Sequence, residues 1–237
     1  MTTNDKKTIA ICIPGEHFSS VWVVNFIALF AEVFNRYNVI PLAGYSSNVY
    51  ATRARMLQSL IDTDEQQQPI DYVLWIDDDN VLSFPQFDRL LQTLESDDAL
   101  DAAAAWCWIQ PDGYGIAPLP SCGHFNGNRV QALALNRLVI LNDVEPAGPD
   151  LQEVDYTGFP AVLIRMKALS VLGKDAFNPI LAADTDCGFM GEDTSFWKRA
   201  QRKGLKLVVD RRVKVPHYKL RAAEPVAVDP ANVATVK

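Results

Sequence analysis

The chain has 237 residues, of which 49% are hydrophobic, and its formal net charge at pH 7 is −7. This size allows a full hydrophobic core in one large α/β domain, and the modest negative charge argues against a general binder of polyanions. Four cysteines without a C-x-x-C pair are typical of reduced thiols in a cytoplasmic protein. With no secretory signal and no apolar segment long enough to span a bilayer, we expect a soluble protein without membrane insertion.

The first part of the chain alternates apolar runs with helical patterns. Strands are predicted at residues 8–13, 39–43 and 73–76, and helices from Ser19 or Ser20 to about residue 35 and over residues 48–61. Such a β-α-β-α-β unit has right-handed crossovers, and its ligand site lies beyond the carboxyl ends of the strands. We therefore predict an α/β protein with a doubly wound, mostly parallel sheet.

The later elements are less regular. A helix is predicted at residues 85–96, a strand at 102–109, an irregular excursion at 111–127, and a hairpin or two short strands at 130–141. A buried strand at 161–164, a helix at 193–203 and two strands at 205–209 and 213–215 follow. A small antiparallel addition to the sheet, one domain over residues 1–221 and a loosely ordered tail at 222–237 complete the prediction.

Three consecutive acids follow the third predicted strand. The buried pattern of residues 73–76 leads directly into Asp77, Asp78 and Asp79. Carboxylates at one sheet edge repel one another, so a positive group is expected to offset their charge. Oxygen ligands with open coordination positions suit Mg²⁺ or Mn²⁺ holding a diphosphate. The alternative is a solvated acidic turn in which Asp79 or Ser83 caps the next helix.

A second acidic pair begins a helix. Glu192 and Asp193 lie at the amino end of the helix predicted at residues 193–203, where the helix field keeps a carboxylate ionised and able to accept a proton. The alternative is that Asp193 only caps the helix.

Basic residues concentrate late in the chain. Between Lys198 and Arg221 there are ten basic residues and one acid, Asp210, so phosphate-bearing ligands are expected to approach this segment. Trp106 and Trp108, near the end of a predicted strand, pack in the core or stack on a sugar or a base.

An ordered set of motifs resembles those of glycosyltransferases with the GT-A fold, and in particular those of family 2. Small members of this family occur in bacteria and bacteriophages. The set comprises Ile76-Asp-Asp-Asp79, Gly191-Glu-Asp193 followed by Phe196-Trp-Lys-Arg-Ala200 and Lys203-Gly204, and Val213-Lys-Val-Pro-His217. Asn48 with Ala54-Arg55, and Tyr156-Thr-Gly-Phe159 before Val162-Leu-Ile-Arg165, resemble two further stretches. The chain departs from the family pattern at Tyr50 and Met56, which replace a glycine and an asparagine.

The resemblance implies a metal-dependent glycosyltransferase that moves a sugar from a UDP- or GDP-linked donor to an acceptor hydroxyl, with Mn²⁺ or Mg²⁺ as cofactor. It assigns the metal to Asp77, Asp79 and His217, the general base to Asp193 beside Glu192, and the donor nucleotide to Pro14, Gly15, Glu16, Arg55, Asp77 and Asp78. Gly158 and Phe159 would join Trp106 and Trp108 at the sugar or the acceptor. With Asp193 as base, one in-line displacement inverts the anomeric carbon, whereas a retaining enzyme would not need that base.

Two alternatives remain at this point. A nucleotidyltransferase of related fold usually has a glycine- and arginine-rich loop after the first strand, but the loop here, Pro14-Gly-Glu-His-Phe18, has no arginine. A non-catalytic sugar- or nucleic-acid-binding module would use the basic segment for binding alone. The acceptor is not encoded in any motif, and a glycan, a lipid, a protein or a modified DNA base would each provide a hydroxyl.

Overall fold

The computed structural model describes residues 6–66, 69–109, 119–132, 149–185 and 188–218. Its strands are Thr8–Pro14 (β1), Asn38–Gly44 (β2), Tyr72–Trp75 (β3), Ala102–Trp106 (β4), Trp108–Ile109 (β5), Leu119–Pro120 (β6), Cys122–Asn126 (β7), Arg129–Ala132 (β8), Leu151–Val154 (β9), Tyr156–Thr157 (β10), Val162–Arg165 (β11), Ile180–Leu181 (β12), Phe189–Met190 (β13) and Leu207–Lys214 (β14). Its helices are Ser20–Arg36 (α1), Val49–Glu65 (α2), Phe84–Glu95 (α3), Met166–Leu172 (α4) and Glu192–Arg202 (α5).

A seven-stranded sheet in the order β2-β1-β3-β11-β4-β14-β9 forms the centre of the protein. β1 is parallel to β2 and β3, and β14 is parallel to β4. β11 runs antiparallel to both β3 and β4, and β9 runs antiparallel to β14. All the strands except β11 and β9 therefore run in one direction, which confirms the predicted mostly parallel sheet. Small antiparallel sheets (β10-β7-β8, β12-β13 and β5-β6) are the predicted addition.

Helices cover both faces of this sheet. Along β3, Val73 and Trp75 pack on the side that holds α2, α4 and α5, while Tyr72 and Leu74 pack on the side that holds α1 and α3. A strand buried on both faces has a continuous apolar sequence, which is why its pattern could be recognised. The doubly wound arrangement is confirmed.

The helix starts also agree with the sequence. The Ser19 side chain accepts a hydrogen bond from the backbone N–H of Trp22, and the Asn48 side chain accepts from Tyr50 and Ala51. These caps satisfy backbone donors that have no partner within the helix.

Several element predictions were wrong for identifiable reasons. β14 is one strand, although a break was predicted at residues 210–212, and its register with β4 shifts there, between Val209 and Lys214. The buried carboxylate of Asp210 is bonded to Thr93 and Arg212. The strand predicted at 102–109 divides into β4 and β5 at Cys107. The Cys107 N–H donates to the Ser121 hydroxyl, and the Ser121 N–H donates to the Cys107 carbonyl. β7 lies in the stretch predicted to be irregular, and α4 was not predicted.

Most of the predicted hairpin at 130–141 and the tail at 222–237 fall outside the described residues, as does Cys187. Cys12, Cys107 and Cys122 are buried free thiols. None of the helices in the described ranges combines the length and apolar character that a bilayer crossing requires.

Candidate active site

An open pocket lies where the carboxyl ends of β1 and β2 meet the loop after β3. Its volume is about 300 Å³, and it is lined by Pro14, Gly15, Glu16, His17, Tyr45, Ser46, Val49, Thr52 and Asp78. The Gly15 N–H donates to the Gly44 carbonyl at 3.1 Å, which holds the two strand ends together. The structure thus brings together the four residues of the predicted donor site other than Arg55 and Asp77.

Asp78 forms one wall of this pocket and approaches the backbone of the β1 loop. Its Oδ2 accepts from the N–H of Glu16 at 3.2 Å. A Cβ atom on Gly15 would overlap the Asp78 side chain, so this close approach requires glycine. Burial raises the pKa of Asp78, and the charge of Asp79 adds to the rise, while the N–H groups of Glu16 and His17 oppose it.

Asp79 faces His217 from the other end of the chain. His217 Nε2 lies 2.9 Å from Asp79 Oδ2, and its Nδ1 lies 3.2 Å from the carbonyl oxygen of Trp108. The segment around His217 is fixed by backbone pairing, because the Tyr218 N–H donates to the Asp79 carbonyl at 2.7 Å and Asn80 bridges to His217. The pairing of two residues 138 positions apart is thus built into the backbone.

The Asp79–His217 pair fits a divalent cation. The carbonyl oxygen of Trp108 can only accept a hydrogen bond, so Nδ1 of His217 carries a hydrogen. The Nε2 atom then faces the Asp79 carboxylate, and either a proton or a cation lies between them. Two neighbouring ligands of an octahedral Mg²⁺ are roughly 3 Å apart, and the observed separation is 2.9 Å. In the described ranges, no three His, Cys, Asp or Glu side chains come together as a ligand set.

Asp77 has a different partner. Its Oδ1 accepts from the guanidinium of Arg53 at 2.6 Å, and its backbone carbonyl accepts from the indole of Trp22 at 3.2 Å. Burial raises the pKa of Asp77, and Asp79 and Glu192 raise it further, whereas Arg53 lowers it. The positive group expected beside the acid triplet is therefore supplied in part by the chain itself. The role of Asp77 as a metal ligand stays a prediction.

The amino end of α5 adds Glu192 and Asp193. Gly191 is the N-cap residue, so Asp193 lies in the first turn and is not the cap. Its Oδ2 accepts from the Tyr156 hydroxyl at 2.8 Å, and its Oδ1 accepts from the backbone and hydroxyl of Thr194. Burial raises the pKa of Glu192, as does the neighbouring Asp193, and Arg53 lowers it.

The remaining predicted residues differ in their exposure. Arg55 is exposed on α2, and its contact with the nucleotide stays a prediction. Trp106 and Phe159 are only 3% and 2% exposed, so the prediction that they contact a sugar does not fit their core packing. Trp108 and Gly158 are partly exposed, and their contact with the sugar or acceptor stays a prediction.

Two residues of the site were not assigned to it from the sequence. Arg53 shares the buried face of α2 with Met56, Leu57 and Leu60, and this helical spacing was the available signal. Tyr156 lay in a quoted motif, but the motif gave no sign that its hydroxyl bonds to Asp193.

The structure is similar to several solved proteins at low sequence identity. GalNAc-T7, crystallised with UDP, GalNAc and Mn²⁺, has a TM-score of 0.51 at 10% identity, and the match covers 95% of this chain and 46% of that one. A197 from the virus STIV has a TM-score of 0.48 at 12% identity, with 92% of this chain and 97% of that one covered. A glycosyltransferase involved in glycosylation of the major capsid of PBCV-1 has a TM-score of 0.45 at 11% identity, with 85% and 80% covered.

The comparison with GalNAc-T7 bears on the fold. The likeness to GalNAc-T7 shows that the chain has a GT-A-like α/β fold, as the sequence resemblance predicted. The chain spans less than half of the length of that protein. In sequence, no protein-family model and no curated protein matches it.

Proposed function

We propose that this protein is a glycosyltransferase that moves a sugar from a nucleoside-diphosphate sugar to an acceptor hydroxyl with inversion. One observation carries the proposal: the guanidinium of Arg53 contacts both Asp77, after β3, and Glu192, at the start of α5. The acid triplet and the acidic pair are therefore parts of one site at the edge of the sheet where α/β proteins bind ligands.

The pocket beside β1 and β2 would receive the donor nucleotide. Its volume of about 300 Å³ is at the lower end of the range for small-molecule sites, which suits a nucleoside. UDP bound to GalNAc-T7, which shares the fold, supports a UDP-linked donor. Asp78 and the Gly15 backbone form the wall against which the nucleobase would lie.

Asp79 and His217 would hold a Mn²⁺ or Mg²⁺ ion beside the donor diphosphate. When bound, such an ion would neutralise the charge that develops on the leaving diphosphate. The hydrogen bond from Nδ1 to the Trp108 carbonyl orients the ring so that Nε2 faces Asp79. Arg53 binds Asp77 Oδ1, so Asp77 would organise the site through that oxygen and would reach the metal only through Oδ2.

Asp193 would act as the general base. The acceptor oxygen attacks the anomeric carbon while its proton passes to the Asp193 carboxylate, and the bond to the diphosphate breaks with its electron pair on the leaving oxygen. The hydroxyl of Tyr156 donates to Oδ2 and so orients the carboxylate. A single displacement of this kind inverts the anomeric carbon.

The acceptor is proposed to be a glycan or a modified DNA base. The basic segment supports a phosphorylated acceptor only in part, because Lys198, Arg199 and Arg212 already bond to groups of the protein. If acceptor phosphates bind the other basic residues, transfer weakens steeply with salt while donor hydrolysis changes little. A flat salt response of transfer would reject the phosphorylated acceptor.

The test of the proposed function is Asp193→Asn, with product formation from nucleotide sugars followed by mass spectrometry. We expect transfer to fall by about 10²- to 10⁴-fold, as for loss of a general base, while calorimetric affinity for the nucleoside diphosphate stays within a few-fold. Asp98→Asn is the matched control, because the side chain of Asp98 is fully exposed. Turnover of Asp193→Asn within a few-fold of the parent would reject Asp193 as the base.

A further inference from the structure

Arg53 is a charged residue in the core beneath the proposed site. It is 3% exposed, and its guanidinium lies 4.6 Å from the ring centroid of Phe159. Arg53 is the charged residue on the buried face of α2, which also includes Thr52, Met56 and Leu57. A charge is costly to bury unless it is paired, so the contacts of Arg53 must account for its position.

The two partners of Arg53 come from distant parts of the chain. One terminal nitrogen donates to Asp77 Oδ1 at 2.6 Å, and Nε lies 3.8 Å from Glu192 Oε1. Nε and the other terminal nitrogen are buried and have no hydrogen-bond partner among the described residues. The distance from Nε to Glu192 is longer than a hydrogen bond and corresponds to an ion pair. This side of the guanidinium therefore faces the acidic pair, but its N–H groups form no hydrogen bond with it.

A guanidinium is suited to linking two carboxylates because it is planar, permanently charged and donates from several directions. α2 packs on the sheet through Met56, Leu57 and Leu60, and this packing places Arg53 between the end of β3 and the start of α5. Glu192 precedes Asp193, whose own carboxylate is held by Tyr156. The start of α5 is therefore contacted at both acids, by a hydrogen bond to Asp193 and by a longer ion pair with Glu192.

We propose that Arg53 is a positioning residue that ties Glu192 to Asp77 and thereby aligns Asp193 for proton transfer. This inference rests on the proposed function and deepens it, because it assigns a role to a residue outside the motifs. Arg53 does not reach the substrate and acts only through the acids that it holds. Its contribution belongs to the transfer step and not to donor affinity.

The test uses Arg53→Lys, Glu192→Gln and the double variant. Lysine keeps a positive charge for Asp77 but cannot span both carboxylates, so we expect transfer kcat to fall by about 10-fold or more, while nucleoside-diphosphate affinity changes by less than about 3-fold. Glu192→Gln should give a similar loss, and the double variant should be no slower than the slower single variant. Losses that multiply, or an unchanged kcat in Arg53→Lys, would overturn the proposal.

A second measurement is independent of activity. Amide hydrogen exchange of residues 191–195 should become faster in Arg53→Lys and in Arg53→Met, while exchange in β14 remains unchanged. Arg89→Lys, an exposed arginine on α3, is the control. If the parent protein transfers no sugar, the proposed function fails, and local exchange still decides the role of Arg53. Unchanged exchange at 191–195, or faster exchange throughout the protein, would reject a positioning role.

Discussion

Tyr156→Phe tests the geometry of the base most directly. The substitution removes one hydroxyl, which donates to Asp193 Oδ2 at 2.8 Å, and retains the ring that packs against Phe125. Burial raises the pKa of Tyr156 well above its usual value, and Asp193 adds to the rise, so the hydroxyl remains protonated and remains a donor at neutral pH.

The expected size of the effect follows from the hydrogen bond that is lost. A hydrogen bond to a charged group contributes about 1.5–3 kcal/mol, and about 1.4 kcal/mol corresponds to a tenfold change in rate. No cavity opens, because the ring stays in place. We therefore expect kcat for transfer to fall about 10- to 150-fold, since the carboxylate loses the contact that orients it.

The assay compares transfer, by mass spectrometry of the product, with calorimetric binding of the nucleoside diphosphate. Donor affinity should stay within about 3-fold of the parent value, because Tyr156 does not line the donor pocket. Tyr37→Phe is the matched control, since Tyr37 lies next to the amino end of β2, away from the site. A kcat within about 3-fold of the parent, or an equal loss in donor affinity, would refute the reasoning.

Three further substitutions test the donor site, the metal pair and the core. Mn²⁺ should increase the affinity of the parent for a nucleoside diphosphate, and in Asp79→Asn this increase should be smaller by about 10-fold or more. Equal affinity of the parent with Mn²⁺ and with chelator would contradict the metal assignment. In Gly15→Ala, the new Cβ displaces Asp78, so nucleoside-diphosphate affinity should fall about 5- to 100-fold in the same calorimetric assay, and an unchanged affinity would place the nucleotide elsewhere. Burial raises the pKa of Asp210, but its hydrogen bonds with Arg212 and the other donors around it hold that pKa below the usual range. The Asp210 carboxylate therefore stabilises the fold above about pH 4, and this stabilisation is lost as pH falls through its folded-state pKa. Urea unfolding should therefore show Asp210→Asn to be less stable by about 1–3 kcal/mol at pH 7, with a smaller difference at pH 3, and an equal difference at both pH values would show that the charge is not the cause.

The sequence predicted the elements that carry the site better than it predicted the side-chain contacts within it. The apolar run of β3 and the acids after it are adjacent in the chain, so their place at the carboxyl end of a buried strand could be predicted from local pattern alone. Asp210 shows the limit of local pattern. Its charge predicted a turn, but the hydrogen bonds from Thr93 and Arg212 allow it to lie inside a single strand, whose register with β4 shifts there.

The sequence by itself determined the main strands β1 to β4 and β11, the helices α1, α2, α3 and α5, the two-sided burial of the sheet and the positions of the acid triplet and the acidic pair, because these follow from the spacing of apolar residues along the chain. Only the tertiary structure decided that Arg53 pairs with Asp77 and Glu192, that Phe159 is in the core, and that Tyr156 bonds to Asp193. Helical spacing places Arg53, more than half a turn from Arg55, on the same face as Met56 and Leu57. Which side chains meet at that face depends on how elements that are distant in the chain pack together.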